Sequence, residues 1–372
     1  MSNKSSTVSQ GKIYFPQLDS IRGMSFLAIF LYHALRISTK NFFLSDFIIY
    51  LYDNLPLAID VFFILSSFLL TFLALNEYKK KGNFSFKNYF TRRILRIWPL
   101  YFFIMIMAFL VFPLIATRFG TSLTLPNALY YLFFIANFYT IDHVFFLKFL
   151  WTISVEEQFY LLWGLSLRFL HKKLKIIIAA LFLLSISSSL YAIINRSGNY
   201  YSTVTYFFDF ACGALAAVYI FSENWLIVKM KKLSQAGTYL FYSYIFVHFI
   251  LFYFLNANTS GIANGFAELL NRYVFIIYIS LSIIEQMVND HRTHIFAKSK
   301  FLVLTGKLSY GLYCFHGITI TFINLLFQHF KIEISSWLLV LIYFPVNYLI
   351  AAISYNYLEL PFLKLKNKWR RI

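Results

Sequence analysis

The stretch 18–34, LDSIRGMSFLAIFLYHA, reads as most of a membrane span interrupted by three ionisable residues, Asp19, Arg22 and His33. A charged side chain near the centre of a bilayer costs a few kcal/mol or more, so these residues need partners or a polar path. Helical periodicity aligns two of them. Arg22 and His33 lie eleven residues apart, close to three turns, on one face and about 16 Å apart along the axis. Asp19 precedes Arg22 by three residues, in position to pair with it or to cap the helix start. Gly23 leaves room beside Arg22 for another helix or a ligand. A lone Arg at a span end snorkels to the interface, and a lone buried His is as often a hydrogen-bonded interior residue as a functional one. Two ionisable groups aligned along the membrane normal point instead to a track for substrate, proton or cofactor.

The rest of the chain supplies the setting. Of its 372 residues, 60% are hydrophobic and 13% charged, and the mean hydropathy is +0.66. Soluble domains lie near roughly 45–50% apolar and about 25% charged. The composition therefore predicts an all-α polytopic membrane protein. Ten segments approach the roughly 20 apolar residues that a helical span needs: 20–38, 56–76, 97–117, 151–170, 174–195, 204–221, 237–256, 266–287, 302–328 and 337–358. An eleventh, NALYYLFFIANFY near 127–139, is short and leads into polar residues.

Charge decides whether that segment crosses, because cytoplasmic loops are enriched in Lys and Arg. With ten spans and a cytoplasmic N-terminus, 23 of the 33 basic residues fall in cytoplasmic segments and 6 in external loops. An eleventh crossing would turn every later basic loop outward. The expectation is ten spans with both termini cytoplasmic, and a re-entrant or partly embedded external element at 126–150. Residues 1–17 form a tail without the apolar core of a secretory signal. Residues 18–362 form one transmembrane domain, and 363–372 a basic tail.

The net charge of +18 is then mostly topology and attraction to anionic lipid, which argues against a nucleic-acid partner. The segment 79–96 carries seven basic residues in 18, enough to hold a polyanionic cofactor as well. Two cysteines, Cys212 and Cys314, both in apolar segments, suggest neither a disulfide framework nor a metal site. No CxxC, HExxH or GxxxxGK[ST] pattern is present.

Further polar islands recur in apolar surroundings. WTISVEEQFYLLW (151–163) sets Glu156 and Glu157 near the external start of a helix. The dipole there favours acids, but two adjacent carboxylates cannot both face lipid. SYGLYCFH (309–316) places Ser309, Tyr310, Tyr313 and His316 in one span, with Ser309, Tyr313 and His316 roughly on one face. RRILRIWPLY (92–101) carries Arg92, Arg93 and Arg96 into the third span, with Pro99 expected to bend or loosen its first turns. YLELPF (357–362) ends the last span with Glu359.

Together these segments resemble the acyltransferase 3 family of integral membrane O-acyltransferases. Arg22 and His33 are similar to that family's Arg-x10-His signature, and AIDVFFILSSFLL (58–70) to its D-[IV]-FF-[IV]-LSGFL stretch. The RRILR entry, the SVEEQFYL block, the SYGLYCFH block and ELP (359–361) follow in the family's order, across 14–362. Ser67 stands where Gly is usual, Thr152-Ile153 where Ser-Leu is usual, Gly164 where Pro often follows, and Leu360 replaces a basic residue.

The resemblance implies transfer of an acyl group, most commonly acetyl, from cytoplasmic acyl-CoA. The acceptor it implies is a hydroxyl of an extracytoplasmic or lipid-linked glycan, and the location a multi-pass protein of the bacterial inner (plasma) membrane. It implies that Arg92, Arg93 and Arg96 hold the donor's phosphates, a task that suits Arg. Arg22 contacts or positions the donor, and His33 is the general base or a transient acyl carrier. Glu156 orients a histidine or binds acceptor hydroxyls. Tyr310 and His316, with Asp19 behind Arg22, line the substrate side. No metal is called for. A transporter or glycan flippase is the competing class, since ten spans with buried ionisable residues suit it too.

Overall fold

The computed structural model describes residues 14–38, 46–118, 120, 123–139, 145–222, 224–289, 296 and 299–368. Regular structure among these residues is helical throughout. Helix α1 (Pro16–Ser38) is followed by a short α2 (Asp46–Asp53) and by α3 (Ala58–Lys81). Helix α4 (Phe86–Ile106) runs through a π-helical turn (Met107–Val111) into α5 (Phe112–Arg118). Two short helices, α6 (Ala128–Leu132) and α7 (Phe145–Lys148), lead to α8 (Trp151–Phe169) and α9 (Leu174–Ile194). A 3-10 turn (Thr203–Tyr206) opens α10 (Phe207–Ile220), and α11 (Trp225–Lys231) precedes α12 (Gln235–Ala257) and α13 (Gly261–Val288). The chain continues with α14 (Lys300–His329), α15 (Ser336–Ser354), a second π-helical turn (Tyr355–Glu359) and α16 (Leu360–Lys368).

Among the described residues, eight helical stretches are long and apolar enough to cross a membrane. The other two expected spans are α1 and α8, helices of 23 and 19 residues that carry the polar track. Each of the ten expected segments coincides with a helix to within a few residues, except the third, which begins eleven residues early. The protein is a polytopic all-α membrane protein. Side-chain caps set several of the starts: Ser85, Ser234 and Ser299 accept from the backbone N–H three residues on. Helix α3 stops at Gly82, whose φ of 71° is left-handed.

The Ser85 cap explains the early third span. Helix α4 starts at Phe86, so Arg92, Arg93 and Arg96 lie within a formed helix. Pro99 sits in the helix interior rather than in the first turns, and the helix continues through it to a π-helical turn. The freed carbonyl is tolerated because neighbouring helices surround it.

Helices α1, α3, α8, α10 and α14 form the interior. Helices α9, α12 and α15 present exposed apolar side chains such as Ile176, Leu183, Leu240, Phe246 and Leu341, a surface suited to lipid. Where interior helices touch, small residues let backbones meet. Gly23 of α1 lies against the Leu302 carbonyl of α14, and Gly306 of α14 lies against the Asp19 carbonyl of α1. Gly213 of α10 lies against the Ile64 carbonyl of α3. Ser67, where the family pattern has Gly, donates to the Phe210 carbonyl across that seam at 2.5 Å.

The stretch 126–150 is broken into one-turn pieces, none long enough to span, with 140–144 outside the described residues. Protein covers its backbone. Tyr101 donates to the Tyr131 carbonyl, and Gln158 to the Phe134 carbonyl and to Asn137 Oδ1. Irregular backbone at membrane depth is tolerated where it is shielded in this way.

Candidate functional site

Helix α1 is continuous from Pro16 to Ser38, so Arg22 and His33 stand along one rod as the spacing predicts. At its first turn Arg22 Nη1 donates to Asp19 Oδ1 at 3.3 Å, the pairing expected from an i, i+3 spacing. Arg22 also lies within Coulombic range of Arg96 and Arg93. The α1 and α4 cations therefore form one positive cluster. Arg92 is partly committed, with Glu77 at 3.5 Å. The Arg93 guanidinium sits 5.6 Å from the Tyr160 ring centroid. A site of this composition fits a polyphosphate, because clustered guanidiniums repel one another until an anion arrives.

From that cluster a polar chain runs inward. Tyr160 donates to Ser66 Oγ at 3.1 Å, and Ser66 donates to Glu156 Oε1 at 2.7 Å. Glu156 is in Coulombic range of Arg22 and Arg93, and of Tyr313 on α14. Glu157 turns to α4, where Trp98 donates to its Oε2 at 3.3 Å. Both carboxylates thus face protein rather than lipid, and neither serves as a helix cap.

At the other end of α1, the His33 and His316 rings lie side by side, centroids 5.3 Å apart and planes 31° from parallel. Phe149, at the end of the irregular 126–150 stretch, contacts both, at 4.4 and 4.2 Å. His316 is fully buried, and its Nδ1 meets the Tyr313 carbonyl at 2.5 Å. A carbonyl only accepts, so Nδ1 carries the hydrogen and Nε2 of the neutral ring keeps its lone pair. That Nε2 is buried without a hydrogen-bond partner among the described residues. Tyr313 is held in turn by Thr152, whose hydroxyl lies 3.0 Å from its own.

The predicted residues thus sort into two groups. Arg22, Asp19, Arg93 and Arg96 gather at the start of α1, with Arg92 at the edge. His33 and His316 meet near its end, and Glu156 lies between the groups. Tyr310 joins neither, since its hydroxyl donates to the Ile97 carbonyl of α4 at 2.7 Å. Among the described residues no group of three or more potential metal ligands comes together.

One constellation escaped the sequence reading. Arg272 of α13 grips Asp60 of α3 with Nε and Nη2, both at 3.1 Å, and donates from Nη2 to Asp209 of α10 at 2.6 Å. It also lies over the Tyr206 ring at 4.9 Å. The signal was present: Asp60, Asp209 and Arg272 each lie a few residues inside the same end of a predicted span.

O-acetyltransferase OatA of Staphylococcus aureus strain NCTC 8325 / PS 47 is 28% identical over 375 residues, covering 94% of this chain and 57% of its own length. OatA of strain COL aligns with the same figures. The chain therefore spans a little over half the length of these relatives. No solved structure matches. The acyltransferase domain profile matches residues 15–356, a region that includes Arg22, His33, Glu156 and His316, and the chain belongs to the acyltransferase 3 family of membrane acyltransferases.

Proposed function

We propose that the protein is an O-acyltransferase that moves an acyl group, acetyl first among candidates, from acyl-CoA to a hydroxyl of an extracytoplasmic or lipid-linked glycan. The observation that carries this is the pairing of His33 and His316, 5.3 Å apart, at the opposite end of α1 from the arginine cluster. Such a separation suits a donor with a charged head and a reactive thioester on a long arm. The relatives' name, O-acetyltransferase, supports acetyl.

Arg93, Arg96 and Arg22 hold the phosphates of CoA at the cytoplasmic mouth, with Arg92 released from Glu77 as needed. The pantetheine arm lies along the track past Glu156. His33 takes the proton from the acceptor hydroxyl as its oxygen attacks the thioester carbonyl, and returns it to the departing thiolate. His316 presents its Nε2 lone pair beside His33 and orients the hydroxyl or relays the proton. Asp19 restrains Arg22, and Tyr310 ties α14 to α4. Residues 18–362 act as one unit in a bacterial plasma membrane, with ten spans, 126–150 as an external re-entrant element, and both tails cytoplasmic.

The test is release of CoA from acetyl-CoA by purified protein in detergent, with candidate sugars present. His33→Ala should lower turnover about 10²–10⁴-fold, the range of general-base catalysis, while donor binding by calorimetry persists. Near-normal turnover in His33→Ala would remove the base assignment. A wild type that neither binds nor cleaves acetyl-CoA would leave transport as the better reading.

A further inference from the structure

At the His33 end of the bundle a second feature opens, a cavity of about 920 Å³. It is near the upper end of the roughly 300–1,000 Å³ usual for small-molecule sites. Its walls come from α2, the starts of α3 and α13, the ends of α9 and α12, and the 196–206 connection. The lining sets polar and aromatic side chains in a largely apolar wall: Tyr50, Asp53, Asn199, Tyr200, Glu268 and Asn271 all contribute. Asn256 and Asn271 contribute to the wall, and their side-chain oxygens are buried behind it without a hydrogen-bond partner among the described residues. Flat rings beside carboxamides and carboxylates suit a pyranose, whose C–H face is apolar and whose rim carries hydroxyls.

The charges are the informative part. Three lining carboxylates, Asp53, Asp60 and Glu268, face two guanidiniums, Arg196 and Arg272. Arg272 is already engaged by Asp60, and by Asp209 from behind. The cavity is therefore neutral to acidic in a protein whose net charge is +18. It is opposite in character to the arginine cluster at the start of α1. A donor carrying phosphates is drawn to one end and repelled by the other.

Neither histidine lines the cavity, but a run of aromatic rings links its wall to the pair. Tyr200 and Tyr206 of its lining pack on Trp151, at 5.3 and 5.4 Å. Two residues earlier, Phe149 packs on His33 and His316. The α2 wall is fastened to α1 by the Tyr52 hydroxyl, which donates to the carbonyl of Tyr32, the neighbour of His33.

We propose that this cavity is the acceptor site and that it selects an uncharged or amine-bearing sugar, excluding phosphorylated and uronate sugars. The proposal rests on the transfer reading above, and it adds where the acceptor sits and which chemistry it carries.

Three disaccharide probes test it on purified full-length protein in detergent: chitobiose, its de-N-acetylated diamine, and digalacturonate. Binding is read by saturation-transfer NMR and titration calorimetry, and CoA release is read in parallel. Chitobiose and the diamine should bind at least about tenfold more tightly than digalacturonate. Glu268→Lys, an exposed change, should weaken the diamine and strengthen digalacturonate, each about tenfold; a misfolded protein would not gain affinity. Ser197→Trp, at the mouth, should weaken all three. Equal binding of neutral and anionic probes, or binding indifferent to both substitutions, overturns the proposal. His33-dependent CoA release would then still stand. Cavity-dependent sugar binding without any acetyl-CoA cleavage by wild type would overturn the acceptor role together with the transfer reading.

Discussion

Substituting Gly306 by Ala asks how closely the two histidine-bearing helices must be held. A Cβ built on Gly306 would fall inside the carbonyl oxygen of Asp19, well under the 3.0 Å that real Cβ contacts require. The obstacle is backbone, so no rotamer change relieves it, and α1 and α14 must part by roughly 1 Å. Gly306 precedes His316 by ten residues, about 15 Å along the helix. If the helices separate as rods, the His33–His316 distance grows by the same amount. A misplacement of about 1 Å in a catalytic constellation costs on the order of a hundredfold. Overpacking adds about 1–3 kcal/mol of destabilisation, so turnover must be normalised to folded protein by size exclusion and thermal unfolding in detergent.

The expected result for Gly306→Ala is a folded protein whose CoA release falls about a hundredfold with little change in KM for acetyl-CoA. Gly237→Ala is the control. Its Cβ would meet a flexible Leu233 side chain at 3.1 Å, and turnover should not change. If Gly306→Ala keeps wild-type turnover, the claim that the α1–α14 seam sets the histidine geometry is wrong.

Three other outcomes follow from the same structure. Arg272→Ala should lower stability by about 3–5 kcal/mol, because it strands two buried carboxylates; the triple change Arg272→Met, Asp60→Leu, Asp209→Leu should recover much of the loss in thermal unfolding. Arg96→Ala should raise KM for acetyl-CoA about ten- to a hundredfold, the worth of a charge-assisted contact, yet leave the KM for phosphate-free acetyl-pantetheine unchanged. His316→Ala and His33→Ala, if they act as one unit, should be non-additive, the double variant being no slower than the worse single one; multiplied losses in steady-state kinetics would assign them to separate steps.

The span pattern was legible because lipid imposes a length and a composition that few other constraints mimic. Residues 16–38 gave the arginine-to-histidine face from spacing alone, since a continuous helix fixes relative azimuth. Spacing within a helix says nothing about which helix it meets, so the contact between His33 and His316 was not legible. That contact depends on Gly23 and Gly306 allowing α1 and α14 to touch, and a glycine in a span does not announce its partner. The start of α4 was read eleven residues late because apolar content was used to place it. The true signal was Ser85, a cap in a basic, polar stretch.

The Arg272 triad shows what the missing information was. Removing three ionised groups from water is costly, and their attraction repays that only when the geometry is good. Two hydrogen bonds to Asp60 and one to Asp209 supply that geometry, with Asp209 Oδ1 left unpartnered among the described residues, and they fasten α3, α10 and α13 together below the 920 Å³ cavity. The same ion set occupies the Arg272 guanidinium, leaving Arg196 as the other guanidinium of the lining. Under the proposed acceptor site, stability of the bundle and choice of sugar would draw on one group of residues, and conservative exchanges there would separate the two. Arg272→Lys keeps the charge but loses the two-pronged grip, so it should loosen the three-helix junction while leaving the preference for uncharged sugars in place.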